Sequence, residues 1–536
     1  MAGAITQKVN MDKNEAAGWE REAEEIKLRR KLAEEMGGPE AVRLRHEKGF
    51  LTVRERIAGI IDRGSFQEVG KLTGKGEYDS DGKLLKVTPA PYVMGIAEID
   101  GRPVAIGGED TTVRGGTSWG HGRRKGGQGG FIDDLAYYYR IPLIRLIDGY
   151  GGGVVSAKRG YTVFPGHTND PGVNVADLLG VVPVVSAVLG IAAGGPAQRA
   201  VMSHWSVMVK NSTIFASGPP IVERGLGQKV TKEELGGYQV AVDKAGTIDN
   251  VAATEEECFA MIRRFLAYMP TNVWQLPPVV PSGDPVDRRE DELIRIVPRD
   301  PRKPYNMKKA IEMIVDRGSL FEIQSSYGRS AITTLARMNG YPVGVIANNP
   351  MVGGRIDVKS ARKQAHFIEL CDCFHIPIIF FVDAPGFMIG KESEEAAILR
   401  EGARAIHAKC QASVPIISVV TRRCYGMGGG VGIDKYGLDL KIAWPSGEWG
   451  SLAVEGGVRS VYRREIENAP DPAKREKELE AGLKKITSPF LTAEAFAVED
   501  LIDPRETRPY LCRFIKAMQP RLAADVGPKA KYGVRP

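Results

Sequence analysis

The chain has 536 residues, of which 43% are hydrophobic and 26% charged, and its formal net charge is +7. This length exceeds what one hydrophobic core serves, so at least two domains are expected. No apolar run approaches the ~20 residues that cross a bilayer, and the charged N-terminus is unlike a secretory signal. We therefore expect a protein of the cytoplasm, or of an organelle matrix, without stable membrane insertion.

The charge balance and the metal-binding residue types point to neither a nucleic-acid partner nor a metal. Basic and acidic residues number 73 and 66, a mild excess that is typical of a mixed surface. The six cysteines lack the paired spacing of a zinc ribbon or disulfide framework, and the seven histidines form no His-Glu-x-x-His motif. We predict buried thiols and no metal site.

In chain order, residues 14–56 are rich in charged and helix-forming side chains and are interrupted at Gly37-Gly38-Pro39, which predicts two charged surface helices. A proline-rich segment, 274–285, cannot continue a helix or a central strand. The predicted organisation is an N-terminal helical segment over 1–50, a first domain over 51–270, a linker over 271–290, a second domain over 291–520 and a tail over 521–536.

The two predicted domains repeat one pattern. Five short segments recur in the same order, at offsets that shrink from 254 to 232: 60–65 as 314–319, 99–104 as 338–343, 113–116 as 351–354, 141–144 as 376–379 and 181–186 as 413–418. Matches in constant order argue for duplication. In both copies a helical pattern (131–140, 359–374) precedes a continuous apolar strand (141–147, 376–382), which is typical of α/β layering.

Each copy also has a glycine cluster after a buried strand, at 149–153 and at 425–430. Glycines at a strand-to-helix junction let a substrate approach backbone N–H groups that favour negative charge. Donors of this kind each contribute ~3 to 4 kcal/mol to a developing oxyanion. A single glycine cluster is more often only a tight turn, but the duplication favours a functional interpretation. Neither cluster fits a dinucleotide fingerprint or a P-loop.

Acid–base side chains are scarce beside these clusters. Asp148 and Asp383 close their strands, where a carboxylate that caps backbone amides is at least as good an explanation as catalysis. A site rich in backbone donors and poor in acids and bases suggests that the substrate or a cofactor brings its own base.

Longer motifs extend over nearly the whole chain: 45–57 (RHEKGFLTVRERI), 218–222 (GPPIV), 233–237 (EELGG), 245–247 (AGT), 383–390 (DAPGFMIG), 443–446 (AWPS) and 500–508 (DLIDPRETR). They resemble the carboxyltransferase (beta) subunit of biotin-dependent acyl-CoA carboxylases of the propionyl-CoA and methylcrotonyl-CoA carboxylase type. The resemblance implies an α/β fold with two duplicated crotonase-like domains, each a ββα spiral. It also implies a homohexamer, a trimer of dimers in which the N half of one subunit faces the C half of its partner.

The family is enzymatic, a ligase or transferase that forms C–C bonds, and the resemblance implies its cofactors and partners. A biotin carboxylase would use ATP and bicarbonate, and a biotin carboxyl carrier subunit would deliver carboxybiotin. The carboxyl group would pass to the α- or vinylogous carbon of an acyl-CoA through an enolate. The motif Ala-Met-Lys-Met is missing, since residues 517–520 read Ala-Met-Gln-Pro, so biotin is expected on another chain.

The resemblance also places the site. One oxyanion hole is expected at the first glycine cluster, another at the second, and further residues are expected to bind substrate: Gly151 and Gly152; Met427 and Gly428; and Gly194, Gly195, Gly429, Gly430, Arg123 and Arg124. The two arginines would meet CoA phosphates, although an exposed basic loop is the commoner meaning of such a run.

Two departures from the family pattern matter. The usual Asp-Ser-Gly-Gly-Ala-Arg reads Asp148-Gly149-Tyr150-Gly151-Gly152-Gly153, and Gly430 stands where short-chain propionyl enzymes carry an acyl-contacting aspartate. A glycine there leaves room, which predicts a bulkier or unusual acyl group. Two other functions stay open: a subunit of a biotin-dependent acyl-CoA decarboxylase, or a non-catalytic scaffold subunit of a carboxylase complex.

Overall fold

The computed structural model describes residues 18–116, 130–150, 175–433 and 440–529. The helices among them are α1 Glu20–Glu34, α2 Pro39–Glu47, α3 Val53–Ile60, α4 Gly130–Tyr139, α5 Val175–Leu178, α6 Gly195–Val201, α7 Pro219–Leu226, α8 Lys232–Gly236, α9 Glu255–Leu266, α10 Leu293–Ile296, α11 Met307–Ile314, α12 Val358–Cys373, α13 Lys391–Glu395, α14 Ile398–Gln411, α15 Gly426–Ile433, α16 Val454–Val461, α17 Arg463–Glu467, α18 Pro472–Ile486, α19 Pro489–Glu494 and α20 Thr507–Ala524.

The strands of the N half are β1 Gln67–Glu68, β2 Gly74–Tyr78, β3 Leu84–Pro89, β4 Tyr92–Ile99, β5 Arg102–Glu109, β6 Leu143–Gly149, β7 Val184–Ala193, β8 Trp205–Val209, β9 Thr213–Phe215 and β10 Asn250–Ala252. Those of the C half are β11 Phe321–Ile323, β12 Ala331–Met338, β13 Tyr341–Asn348, β14 Ile378–Ala384, β15 Ile416–Tyr425, β16 Leu440–Ala443, β17 Glu448–Gly450 and β18 Asp500–Leu501.

The two halves build the same sheet. Within the described residues, the N-half strands are ordered β1-β4-β5-β6-β7-β8-β10 with β9 on β7, and the C-half strands β11-β12-β13-β14-β15-β16-β18 with β17 on β15. In both sheets the first two pairs are antiparallel and the following pairs are parallel. The predicted duplication is thus confirmed at the level of strand order.

Small details repeat as well. The carboxylate of Asp62 accepts the N–H of Gly101 at 2.9 Å, and the carboxylate of Asp316 accepts the N–H of Gly340 at 2.7 Å. These are the aspartates and glycines of the first two segments that the sequence matched. These matching contacts show that the recurring sequence segments form the same local structure in both halves.

The predicted helices and strands are present, with one systematic difference. The strands predicted over 141–147 and 376–382 begin two residues later, at Leu143 and Ile378. A proline precedes each start, Pro142 and Pro377, and proline has no N–H to donate to a sheet ladder. Every residue of β6 and of β14 is buried, as expected for central parallel strands with both faces covered.

The charged N-terminal region forms more helix than expected. Besides α1 and α2, a third helix, α3, begins at a capping box in which Thr52 and Glu55 satisfy each other's backbone N–H groups. No described helix combines the length and the apolar character that crossing a membrane requires.

The halves share part of their core. Trp205 of the N half lies 5.0 Å from the ring of Phe265 in a stacked arrangement and 5.3 Å from the ring of Phe321 of the C half, edge to face. All three side chains belong to one buried cluster that includes residues of both halves. The two sheets are therefore fixed to each other through packed aromatic side chains.

Candidate active site at the carboxyl ends of the parallel strands

The same strand junction occurs in both halves at the carboxyl ends of the central strands. The β6–β7 ladder shifts register between Ile147 and Gly149, and the β14–β15 ladder shifts between Val382 and Ala384. Open α/β sheets bind ligands in crevices at the carboxyl ends of their strands, and irregular pairing opens the ladder there. We call these two places the N-half crevice and the C-half crevice.

In the C-half crevice, β15 leads directly into α15. Gly426 makes the turn with φ 56°, a left-handed conformation that favours glycine, and Met427 is 63% exposed. The first N–H groups of a helix have no intrahelical acceptor and carry a partial positive charge. The first turn of α15 therefore has N–H groups without an intrahelical acceptor.

The helix start is packed against the loop that follows β14. A Cβ on Gly428 would lie 2.7 Å from the carbonyl carbon of Gly386 and 2.9 Å from the amide nitrogen of Phe387. A Cβ on Gly429 would lie 2.8 Å from Sγ of Cys424. Only glycine fits at either position without displacing its neighbours. The structure thus brings Met427, Gly428 and Gly429 together at one helix start, with Gly430 in the next turn position.

In the N-half crevice, β7 leads into α6 in the equivalent way. Gly194, exposed and with φ 63°, precedes Gly195, the first residue of α6. The offset of 232 residues between β7 and β15 makes Gly194-Gly195 the counterparts of Gly426-Met427. The sequence had paired residues 425–430 with 149–153 instead. Gly151, Gly152, Arg123 and Arg124 lie outside the described residues.

A buried aspartate lies near the carboxyl end of the central strand at each crevice, Asp148 in β6 and Asp383 in β14. Asp148 accepts hydrogen bonds from Nη2 of Arg45 at 2.5 Å, Nη1 of Arg56 at 2.8 Å and the N–H of Ile191 at 3.2 Å. Its oxygens are occupied by fixed donors, so it is poorly placed to take a proton from a substrate. The contacts support the capping explanation of this aspartate.

Asp383 is held in the same manner by different residues. It accepts from Nε and Nη2 of Arg422 at 3.1 and 2.9 Å, and from Nε of Arg423 at 2.6 Å. The N–H of Arg423 reaches the same carboxylate at 3.3 Å, as the N–H of Ile191 reaches Asp148. The capping role is therefore common to both halves, whereas the source of the arginines is not.

Glu109 is a further buried residue that sequence reasoning missed. Its Oε2 accepts the N–H of Asp148 at 3.1 Å, and in the C half Oδ1 of Asn348 accepts the N–H of Asp383 at 3.2 Å. Burial raises the pKa of Glu109, and Arg199 of α6, with Nη1 at 3.9 Å, opposes that rise. Glu109 thus connects the end of β6 to the helix that starts at Gly195.

The four arginines around the buried aspartates were also missed as site residues. Arg45 and Arg56 lie inside the motif 45–57, which the sequence analysis used only as a mark of the family. Arg422 and Arg423 are charged residues within the mostly buried strand β15. Charged residues within a buried strand were the available signal, because a buried charge requires a partner. Among the described residues, no group of His, Cys, Asp and Glu side chains is placed to hold a metal ion.

Known proteins share this architecture. The model of the carboxyl transferase domain family matches residues 44–530. The propionyl-CoA carboxylase carboxyltransferase subunit of Haloferax mediterranei is 32% identical over 518 residues, 95% of this chain and 98% of the relative. The alpha subunit of methylmalonyl-CoA decarboxylase from Veillonella parvula is 33% identical over 482 residues, 88% and 91% of the two chains.

A solved structure gives the same result. The crystal structure of transcarboxylase 12S, described as a hexamer assembly with methylmalonyl-coenzyme A and methylmalonic acid bound, superimposes with a TM-score of 0.84 at 29% identity, over 94% of this chain and 96% of that one. The predicted fold, two duplicated crotonase-like domains, is confirmed. With the family model covering almost the whole described chain, this protein belongs to the carboxyl transferase domain family.

Proposed function

We propose that this chain is the carboxyltransferase subunit of a biotin-dependent acyl-CoA carboxylase, which moves the carboxyl group of carboxybiotin to the α- or vinylogous carbon of an acyl-CoA. The observation that carries the proposal is the strand-to-helix junction of the C-half crevice. There β15 ends at Tyr425 and α15 begins at Gly426, so the N–H groups of a helix start lie at the carboxyl end of a central strand in a chain of this family.

The donors act on the oxyanion that forms when the acyl-CoA loses its α-proton. The N–H groups of Met427 and Gly428 form one hole, and those of Gly151 and Gly152 the other. Such donors stabilise the transition state because they are oriented before the reaction begins. The close contact between Gly428 and the Gly386 backbone supports this function, since it fixes the first turn of α15 against a second loop.

Gly194 and Gly195 belong to the same proposal. Their place at the start of α6, equivalent to Gly426-Met427, supports a substrate-facing role in the N-half crevice. The next residue, Pro196, has no N–H, so the N-half helix offers fewer donors than its C-half counterpart. This difference supports an unequal division of the two holes between two different ligands.

Biotin would reach the site on another chain. Its ureido oxygen is a hydrogen-bond acceptor, which suits the N–H donors of one of the two holes, as the thioester oxygen suits those of the other. When bound, biotin supplies the carboxyl group and the base for the α-proton. The buried aspartates at the ends of β6 and β14, Asp148 and Asp383, are both engaged by arginines, which is consistent with a base brought from outside.

The acyl-CoA would be held by small residues at one end and by cations at the other. We propose that Gly429 and Gly430 line the acyl pocket, and that the absence of a side chain at position 430 lets it take an acyl group bulkier than propionyl. Arg123 and Arg124 would meet the CoA phosphates, because a guanidinium binds phosphate in a bidentate manner. The product then carries one more carboxylate than the substrate.

Partners and assembly follow from the same reaction. A biotin carboxylase with its ATP and bicarbonate and a biotin carboxyl carrier subunit would recharge the cofactor in the cytoplasm. We propose a homohexamer, built as a trimer of dimers. Large apolar side chains stand exposed at and near the C-half crevice, which supports burial against another subunit: Met351, Ile389, Met427 and Leu452.

A second candidate is a subunit of a biotin-dependent acyl-CoA decarboxylase. The Veillonella parvula relative, a decarboxylase subunit by name, is as similar to this chain as the carboxylase relative. The same donors would stabilise the same oxyanion in the opposite direction, because a catalyst lowers the barrier of both directions.

The test combines this chain with its native biotin carboxylase and carrier, ATP, ¹⁴C-bicarbonate and a panel from acetyl-CoA to branched and aromatic acyl-CoAs. Acid-stable label on an acyl-CoA is the expected result, and strongest label on a bulky one supports the space at Gly430. No label on any member, while the partners carboxylate free biotin, contradicts the carboxylase function. Sodium-stimulated loss of CO₂ from a carboxylated acyl-CoA would then favour the decarboxylase.

A further inference from the structure

The C-half crevice contains a guanidinium that is only partly used. Arg422 is fully engaged, with Nε and Nη2 on Asp383 and Nη1 on the carbonyl of Lys303 at 2.9 Å. Arg423 gives Nε to Asp383 at 2.6 Å. In the described part of the chain, neither Nη group of Arg423 has a hydrogen-bond partner.

The unused end of Arg423 lies at the crevice and not in the core. Its side chain is 19% exposed, and Nη2 lies 3.7 Å from the place that a Cβ on Gly354 would occupy. Gly354 in turn passes over the end of β14, since the same Cβ would lie 2.6 Å from the carbonyl oxygen of Asp383. Helix α15, which carries the proposed oxyanion donors, begins at Gly426, three residues after Arg423.

Charge counting distinguishes this crevice from its duplicate. Under the N-half crevice, Arg45 and Arg56 face two carboxylates, Asp148 and Glu255. All three nitrogens of Arg45 have partners, as do all three of Arg56. In this described cluster two arginines therefore balance two carboxylates, and every guanidinium nitrogen of Arg45 and Arg56 is occupied.

Under the C-half crevice, Arg422 and Arg423 face one bonded carboxylate, Asp383. Glu448 is the register partner of Arg423 on β17, but no ion pair within 4 Å joins the two. Among the described residues, Asp383 is thus the carboxylate bonded to both arginines, and the Nη groups of Arg423 remain as open donors.

The difference between the two crevices arises from two adjacent positions in β7 and β15. The counterparts of Arg422 and Arg423 in β7 are Gly190 and Ile191. A Cβ on Gly190 would lie 2.1 Å from Oδ1 of Asp148, so the N half has no room for an arginine there and receives its arginines from α2 and α3. Of these two strands, β15 carries arginines at its carboxyl end and β7 does not.

We propose that Arg423 binds the carboxylate that the reaction moves, on either the carboxylated acyl-CoA or the carboxylated biotin. This inference rests on the proposed function. Two open Nη groups on a guanidinium fixed through Nε suit bidentate recognition of a planar carboxylate. Neither the uncarboxylated acyl group nor uncarboxylated biotin presents a carboxylate here. The CoA phosphates are a poorer match, because the pantetheine arm separates them from the reacting thioester.

The experiment compares R423Q and R423K with wild type, using R317Q as the matched control. Arg317 is also in the C half and pairs with one glutamate, but its side chain is 69% exposed. One arm measures the binding of propionyl-CoA and methylmalonyl-CoA, which differ only by a carboxylate. The other measures the KM for carboxylated carrier in the complete assembly. Circular dichroism and the elution volume of the oligomer check folding.

In R423Q we expect an affinity loss of about tenfold or more for one carboxylated ligand, and less than about twofold for its uncarboxylated form. R423K keeps the positive charge but lacks the two Nη donors, so we expect it to recover part of the lost affinity. We expect R317Q to bind both ligands as wild type does. A loss confined to methylmalonyl-CoA identifies the acyl product as the ligand, and a loss confined to the carrier identifies biotin. If R423Q does not fold, R423K replaces it in the test. A selective loss of affinity for the carboxylated ligand in R423K then supports the role of Arg423, and unchanged affinities contradict it.

The outcomes separate this inference from the proposed function. Labelled product from wild type with unchanged affinities of R423Q in both arms contradicts the role of Arg423 alone. No labelled product from wild type contradicts the carboxylase function. In that event the binding arm still decides: selective loss of methylmalonyl-CoA binding in R423Q supports Arg423, and equal affinity contradicts it.

Discussion

A single methyl group at position 428 is expected to disable the C-half crevice. In G428A, the new Cβ would lie 2.7 Å from the carbonyl carbon of Gly386 and 2.8 Å from its Cα, closer than real Cβ contacts, which are ordinary from 3.4 Å. The first contact must lengthen to about that value, a displacement of about 0.7 Å between α15 and the loop after β14. Both neighbours are backbone, so no flexible side chain can absorb it.

The cost to activity follows from that displacement. Misplacing reacting groups by ~1 Å lowers a rate by ~100-fold, and losing one oxyanion donor lowers kcat by ~100- to 1,000-fold. We expect G428A to lower kcat of carboxyl transfer by about 100-fold. Overpacking of this kind costs ~1 to 3 kcal/mol of stability, so the protein is expected to fold and assemble.

The assay is label transfer from ¹⁴C-bicarbonate in the complete assembly, with the melting temperature and oligomer size measured on the same samples. The matched control is G482A. Gly482 lies inside α18 and a Cβ there meets nothing within 4 Å, so alanine is expected to leave kcat unchanged and to stabilise the helix by ~0.5 to 1 kcal/mol. Folded G428A with more than half of the wild-type kcat would refute the assignment of Met427-Gly428 as donors.

Two further predictions concern stability. In R56M, Asp148 loses one of its two arginines and Glu255 loses its ion pair with Arg56, so we expect a loss of ~3 to 5 kcal/mol in the free energy of unfolding, seen as a lower melting temperature. An unchanged melting temperature would show that the cluster contributes nothing. His204 is buried with both ring nitrogens bonded to backbone groups, and burial lowers its pKa from 6.5 to about 3. The native state therefore binds fewer protons than the unfolded state between these pH values, so the stability that the neutral ring supports is complete above pH 6.5 and is lost as the pH falls towards 3. Thermal melts from about pH 7 to pH 4.5 should show the stability difference between wild type and H204Q narrowing on acidification, and a constant difference would contradict this.

Much of the fold can be predicted from the sequence because its determinants are local. Capping residues, apolar periodicity and the prolines before β6 and β14 act within a few residues, and duplication shows the same signals twice. The prolines also explain the two-residue error in the predicted strand starts, since apolar character was given more weight than the missing N–H.

The sequence by itself therefore determined the two-domain repeat, the helices and strands around each crevice, and the family. Only the tertiary structure decided which groups meet. Arg56 lies 92 residues from Asp148 and 199 from Glu255, and strand order, not spacing, brings them together. Strand register likewise pairs Gly426-Met427 with Gly194-Gly195, a match that similarity of the glycine clusters did not show. The open guanidinium of Arg423 became visible only when the partners of every neighbouring charge were known, because burial and pairing depend on the folded arrangement of distant segments.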